Sequence, residues 1–407
     1  MRPELQNIFI KDYNYTLPQE RIAEFPLKLR DQSRLLVYDT GAITEDRFYN
    51  LHHYLPGGST LILNNTRVLE ARIFFKKPTG AVIEIFCLEP YDLAVEQSLA
   101  SSEKVQWQCL IGGASKWKHG QVLEKEIVID NKTVQLYAKY ISKQGDSFVI
   151  EFSWNSQHSF AEILHGAGAI PLPPYIKRTA TEEDKERYQT IFSKPEGSVA
   201  APTAALHFTQ DVFQKLSEKR IAAEYITLHV GAGTFKPVKT ETLAEHEMHK
   251  EPFTISIQTL KKIVSSKKII AVGTTTLRTL ETIYWLGIKL INGLIKDDWN
   301  LQQWEVYDLE KSLRYSSPEE SLTALIGWLE KNSKEELRCS TSLIIVPGYN
   351  FKIPHGLITN FHQPQSTLLL LVSAFIGEDW KKIYQYALDN NYRFLSYGDS
   401  SLLWRTH

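Results

Sequence analysis

The sequence predicts an α/β protein with a mostly parallel or mixed sheet, interrupted by a small all-β barrel or sandwich. Three observations carry this. A chain of 407 residues is long for one hydrophobic core, so two domains are the prior expectation. The block from Ala71 to Trp154 holds six β-rich runs with almost no helical periodicity, and the chain on either side of it mixes strands with other patterns. From Thr209 onward helical stripes and short apolar strands alternate, the pattern of a sheet with helices packed on it.

In chain order, "RLLVYD" (Arg34–Asp39) reads as a strand. Gly57-Gly58 then leads into a short buried strand over Thr60–Leu63. Inside the β block, Asp130-Asn131-Lys132 and Lys143-Gln144-Gly145-Asp146 are the clearest hairpin connections. The charged segment Lys177–Phe192 reads as a solvated loop and helix. "TQDVFQKLSEKRI" is amphipathic, "AEYITLHV" (Ala223–Val230) and "KKIIAV" (ending at Val272) are strands, and "EPFTISI" alternates as a strand. Ser317, Pro318 and Glu320 form an N-cap, a first-turn proline and a capping box. Leu322, Leu325, Ile326 and Leu329 continue that helix as an apolar stripe. "YRFLSYGDSSLL" reads as a strand, a turn at Tyr397-Gly398-Asp399 and an apolar end.

Composition excludes several classes. Lys plus Arg total 46 against 47 Asp plus Glu, so a nucleic-acid partner would need a local basic face rather than a global field. Lys116-Trp117-Lys118-His119 and Lys261–Lys268 are the basic candidates. No secretory leader is visible and the longest apolar run, Leu368–Phe375, is far short of the roughly 20 residues that cross a bilayer. A cytoplasmic protein with no membrane partner is expected. Cys87, Cys109 and Cys339 lack CxxC spacing, so reduced buried thiols are expected rather than disulfides or a zinc site.

Several segments pair a strand end with polar residues. In "AVGTTTLRTLETI" a buried strand meets a helix start, where Thr274, Thr275 and free N–H groups fit an anion and Arg278 adds a fork of donors. A plain N-cap with a surface arginine fits the same residues. "LHVGAGTFKP" places Gly231 and Gly233 after a strand, yet it lacks the third glycine of a dinucleotide fingerprint. It suits either close backbone approach to a ligand or a structural turn. In "EHEMHKEPFTISI" the histidines are three apart, the wrong spacing for a zincin helix. If the strand extends backwards, His249 and Glu251 share its inner face, as an acid–base pair or as a buried ion pair. "SVAAPTAALHFT" is a small-residue run ending near His207. "LITNFHQPQSTLLLLVSAF" sets Asn360 and His362 between a strand and a capped, very apolar helix.

These segments occur together, in order. "LILNNTRVLEARIF", "IPLPPYIKR", "GSVAAPTAALHFT", "YITLHVGAGTFKPV", "EHEMHKE", "AVGTTTLRTLE", "PGYNFKIPHGLITNFHQPQSTLLLLVSAF" and "YRFLSYGDSSLL" run nearly end to end. The chain therefore resembles the S-adenosylmethionine:tRNA ribosyltransferase-isomerases of queuosine biosynthesis. The resemblance implies an α/β, mixed-sheet main domain of unusual topology (residues 1–70 and 155–407) with an inserted all-β barrel domain (71–154). Residues 285–337 look like a further insertion. It implies transfer and isomerisation of the ribosyl moiety of S-adenosylmethionine onto the 7-aminomethyl-7-deazaguanine of tRNA, giving epoxyqueuosine and releasing adenine and methionine. It implies no cofactor besides that donor substrate, tRNA as partner, and a monomer. Carried to matching positions, His229, His249, Glu251, His362 and Asp399 are the catalytic candidates. Asn65, Arg67, His207, Gly231, Gly233, Thr274, Thr275, Arg278, Asn360 and Tyr397 are the substrate-binding ones.

The chain departs from the family's usual motifs at Ala205, Lys250, Thr276-Leu277 and Gln363. Ser342 and His355 stand where aspartates are usual. A related transferase acting on another acceptor, a non-catalytic tRNA-binding paralogue and a nicotinamide oxidoreductase are the alternatives; the missing fingerprint disfavours the last.

Overall fold

The computed structural model describes residues 8–194, 196–231, 240, 242–295, 298–313 and 316–405. Gly233, one of the expected binding residues, lies outside them. The chain is mixed α/β, with a ten-stranded mixed sheet and a separate seven-stranded antiparallel sheet.

Near the middle of the large sheet runs Ser59–Asn64, whose six residues are all buried. A run buried on both faces belongs between parallel neighbours. Its neighbours are Ala222–Leu228 and Lys268–Val272, both parallel to it. Gly356–Asn360 follows beyond Lys268–Val272, again parallel. Ser400–Trp404 then pairs antiparallel with Gly356–Asn360, and Arg34–Asp39 and Ala42–Arg47 complete that flank. On the other side come Glu251–Ser256, Glu336–Thr341 and the two-residue strand Asn300–Leu301.

The helix Thr274–Ile291 buries Leu277, Leu280 and Ile283 in the main core. Pro318–Lys331 crosses it at Gly287, where an added Cβ would fall 2.1 Å from Ser321 Oγ. Only glycine permits that crossing, and Ser321 Oγ uses it to donate to the Tyr284 carbonyl at 2.6 Å. The capping box of Ser317 and Glu320 is formed as the sequence predicts. Residues 285–337 thus hold the rest of one helix, two further helices and the outermost strand of the sheet.

The second sheet runs in the order Gly168–Ala169, Arg72–Lys76, Val82–Pro90, Lys104–Gly112, Ser147–Trp154, Lys132–Gln144, Val122–Ile129. Asp130 and Asn131 turn its first predicted hairpin with φ of 50° and 59°, the left-handed pair of a type I′ turn. The sheet curls until Arg72–Lys76 and Val122–Ile129 lie side by side, but no ladder joins those two strands. The barrel expected from sequence is an open one. Cys87 and Cys109 face each other across two of its strands, and all three cysteines are buried and free.

Two expectations change. The strand expected within Tyr392–Leu403 forms only after the turn, as Ser400–Trp404. The segment read as solvated carries a buried anion: Asp184 accepts from Arg178 at 2.6 and 2.8 Å, from Thr181 N at 2.8 Å and from Tyr397 OH at 2.9 Å. Burial alone would raise its pKa; the Arg178 guanidinium and these donors outweigh that and hold it at about 2. The folded value lies below the unfolded one. The stabilisation is therefore complete above the usual carboxylate range and is lost as pH falls towards about 2. Asp184→Asn should flatten the fall in Tm between pH 4 and 2, checked by thermal unfolding of both proteins across that range.

Candidate active site

Strand direction decides where the chemistry can sit. The parallel strands end at Asn64, Leu228, Val272 and Asn360 on one edge of the sheet. The antiparallel strands Glu251–Ser256 and Ser400–Trp404 begin at that same edge. In open α/β sheets the ligand crevice forms outside the carboxyl ends of the parallel strands. Most of the candidates from sequence are residues immediately beyond those ends.

One cleft lies over the start of the helix Thr274–Ile291, lined by Thr274, Thr275, Asn360, His362, Thr203 and Val230 among others. Gly273, at φ 95°, turns the chain from strand to helix and supplies no side-chain cap. The first N–H groups of the helix are left to the cleft. Asn360 is oriented by Thr203 Oγ1, which donates to its Oδ1 at 2.9 Å. His207 stands behind, 3.5 Å from Asn360 Nδ2, where burial holds it neutral with a pKa of about 4. His362 is held lower still, at about 3, also by burial. Its Nε2 lies 2.9 Å from Thr359 Oγ1, and its backbone N–H donates to Tyr384 OH at 3.0 Å. At neutral pH it is an uncharged polar wall. The helix Thr367–Ile376, capped by Ser366 on Leu369 N, supports the loop from below.

A second, larger cleft opens between the two sheets, with about 1540 Å³ of space including its mouth. His229, Gly231, His249 and Glu251 line one side, and Pro90, Val95, Glu96, Leu110 and Asp146 of the curled sheet line the other. Val230 borders both clefts. Burial lowers the pKa of His229, and the charge of Glu96 opposes that shift. Its Nδ1 lies 3.2 Å from Thr66 Oγ1. Glu251 does begin its strand, but His249 precedes it in an exposed coil. The strand alternation expected to pair them does not reach His249; the cleft brings them together instead.

Glu251, on the wall of the second cleft, forms a buried ion pair with Arg278. Arg278 faces a small recess with Thr274 and Thr275. Burial lowers its pKa to about 10, so it stays charged at neutral pH. The surface arginine of the plain N-cap reading is not found.

Other candidates fall outside the clefts. Asp399 accepts from Arg34 N at 2.9 Å and Arg393 N at 2.8 Å, which makes it a backbone clamp. Tyr397 is bound to Asp184. Asn65 accepts from Thr227 Oγ1 at 2.7 Å, and Arg67 pairs with Glu196 at 3.7 Å on a short surface strand. Sequence reasoning chose Asn65 over its neighbour, yet Asn64 is the buried one. Its Nδ2 donates to the Leu228 carbonyl and its Oδ1 accepts from Thr66 N and Leu228 N, all within 3.1 Å. The buried run Thr60–Leu63 carried one step further would have reached Asn64. Glu96 and Val95 were missed because nothing local marks a wall contributed by the other sheet. Among the described residues, no group of three or more His, Cys, Asp or Glu is arranged to hold a metal ion. No described helix is long and apolar enough to cross a membrane.

The queuosine biosynthesis protein family matches residues 10–403 as one continuous stretch. The chain belongs to that family. Two curated members show how close the relation is. The S-adenosylmethionine:tRNA ribosyltransferase-isomerase of Halothermothrix orenii is 38% identical over 402 residues, covering 97% of this chain and 99% of its own. Its counterpart from a Sulfurihydrogenibium species is 37% identical over the same shares. The crystal structure of the S-adenosylmethionine tRNA ribosyltransferase of Thermotoga maritima, 27% identical, aligns with 96% of this chain and 99% of its own at a TM-score of 0.45.

Within this queuosine-family site, two glycines make opposite forecasts. At Gly197, with φ 144°, an added Cβ would lie 2.6 Å from the His229 ring and 2.7 Å from Val95. At Gly231 it would meet nothing within 4 Å among the described residues. Gly197→Ala should therefore cost roughly 1–3 kcal/mol in urea unfolding, as overpacking does. Gly231→Ala should cost less than Gly197→Ala in the same assay.

Proposed function

We propose that this protein transfers and isomerises the ribosyl group of S-adenosylmethionine onto the 7-aminomethyl-7-deazaguanine at the wobble position of tRNA, with release of adenine and methionine. The product is epoxyqueuosine in tRNA. The observation that carries this reading is the meeting of two clefts at one sheet edge, joined at Val230, with the Arg278–Glu251 pair running from the second cleft to the recess beside Thr274 and Thr275. Two substrates must be held against each other, and much of the rate is available from that positioning alone.

The donor's sulfonium acidifies the neighbouring C5′ protons, so one positioned base starts the rearrangement. His229 suits that role: burial keeps it neutral, and Thr66 orients its ring. His249 stands at the mouth of the same cleft. Thr274, Thr275 and Arg278 receive the methionyl carboxylate, and Asn360 with His362 presents polar edges to the nucleoside. In this reading residues 1–70 and 155–407 carry the chemistry and 71–154 supply the opposing wall. The protein acts as a cytoplasmic monomer with no cofactor beyond its donor.

The decisive experiment incubates the protein with labelled S-adenosylmethionine and tRNA carrying the deazaguanine precursor, followed by nucleoside analysis. Adenine release that depends on the precursor tRNA is the expected result. A non-catalytic tRNA-binding paralogue releases none, and release with a different tRNA base would point to another acceptor. His229→Ala should lower the rate at least a hundredfold, the scale of general-base catalysis, with tRNA affinity unchanged.

A local grip on the tRNA backbone is supported by the exposed rim of the curled sheet. There Lys77 Nζ donates to the Lys116 carbonyl at 2.6 Å, and Lys118 and Lys139 lie nearby. Lys261, from the other basic candidate, is held by Glu330 at 2.7 Å. Replacing Lys116 and Lys118 by alanine should reduce the salt slope of tRNA affinity by up to about 0.9 per lost phosphate contact. An unchanged slope would assign the grip elsewhere.

A further inference from the structure

The Arg278–Glu251 pair is not explained by stability. Both side chains are more than nine-tenths buried. A buried ion pair seldom recovers its own desolvation, and apolar residues of similar volume are often as stable in its place. The pair also lies across a boundary. Arg278 faces the recess at the start of its helix, alongside Thr274 and Thr275, whereas Glu251 faces the cleft between the sheets. The buried Nε of Arg278 donates to nothing among the described residues. The guanidinium thus keeps donor capacity in hand at the recess. On its other side Glu251 Oε1 lies 3.4 Å from Gly231 N.

We propose that this pair is a receiver for an α-amino acid zwitterion, the amino-acid end of the donor. The incoming carboxylate displaces Glu251 from Arg278, and the incoming ammonium takes Glu251 as its own partner. The inference rests on the donor assignment of the preceding subsection and deepens it. Two buried charges become four, and each has an opposite charge beside it, which is the condition for burying any of them. The carboxylate gains the fork of Arg278, the hydroxyls of Thr274 and Thr275, and the positive end of an 18-residue helix. Thr274 and Arg278 are four residues apart and share one helix face. Leu343, Ile344 and Leu371 close the recess with apolar surface, and excluding water strengthens every charge contact inside. Glu251 then binds the donor, and proton transfer remains with His229.

This arrangement has a signature that a simple carboxylate pocket lacks. A ligand bearing only one of the two charges must open the pair and leave an ion without its counter-charge. A ligand bearing neither leaves the pair closed. The test is calorimetric titration of the unaltered protein with four adenosyl thioethers. They are S-adenosylhomocysteine, its decarboxylated form, its deaminated form, and 5′-propylthioadenosine, which has neither charge. S-adenosylhomocysteine should bind tightest, each singly charged compound at least thirtyfold more weakly, and propylthioadenosine no more weakly than those two. Glu251→Gln should shrink the gap between S-adenosylhomocysteine and its deaminated form to below threefold. Losses that multiply, leaving propylthioadenosine the weakest ligand, would overturn the proposal, as would a loss below threefold for either single charge. If no adenosyl compound binds, the donor assignment itself fails and this inference falls with it.

Discussion

The site depends on one buried amide. Asn64 ends the central strand and uses its side chain to hold Leu228 from both sides while capping Thr66. A six-residue strand buried on both faces can be located by its apolar run alone, but apolar contact does not fix where its neighbour stops. The Asn64 amide does. It pins the residue before His229 to the strand beside it, and Thr66, which touches the His229 ring, follows two residues later. Loss of any of these bonds would leave a buried amide unsatisfied, which costs more than the bond itself contributes. The register at the crevice is therefore set by a group that never touches a ligand.

Electrostatics then divide the crevice into unlike halves. His207 and His362 are so deeply buried that they remain neutral near physiological pH. The cleft they serve is polar without being charged, apart from the helix start. The other cleft holds Glu89, Glu96, Asp146 and Glu251 against Lys250, along with His229 and His249. A sulfonium or an ammonium is better accommodated on that side, and a carboxylate on the side of Thr274 and Arg278. Charge complementarity of this kind fixes the orientation of a bipolar ligand before any specific contact is counted.

Much of the architecture was legible in the sequence because its signals were local. The capping box at Ser317, the hairpin at Asp130-Asn131, the strand over Lys268–Val272 and the helix after Ser366 all follow from a few adjacent residues. The loops beyond the strand ends were legible as a set, since polar residues between apolar runs have to emerge at a sheet edge. Pairings were not legible. Nothing beside Asp399 announces the backbone amide of Arg34, and nothing beside Asp184 announces Tyr397. A carboxylate reads the same in sequence whether it meets a ligand or a main-chain N–H, because the difference is made by chain segments hundreds of positions apart. The exchange between Asn64 and Asn65 shows the same limit at one-residue scale.

At Gly197 an added Cβ would crowd both Val95 and the His229 imidazole. Val95 belongs to the short helix of the curled sheet, and His229 to the edge of the large one. Any side chain at position 197 would have to push one of them aside, so the seam where the two sheets meet beside His229 is open to glycine alone.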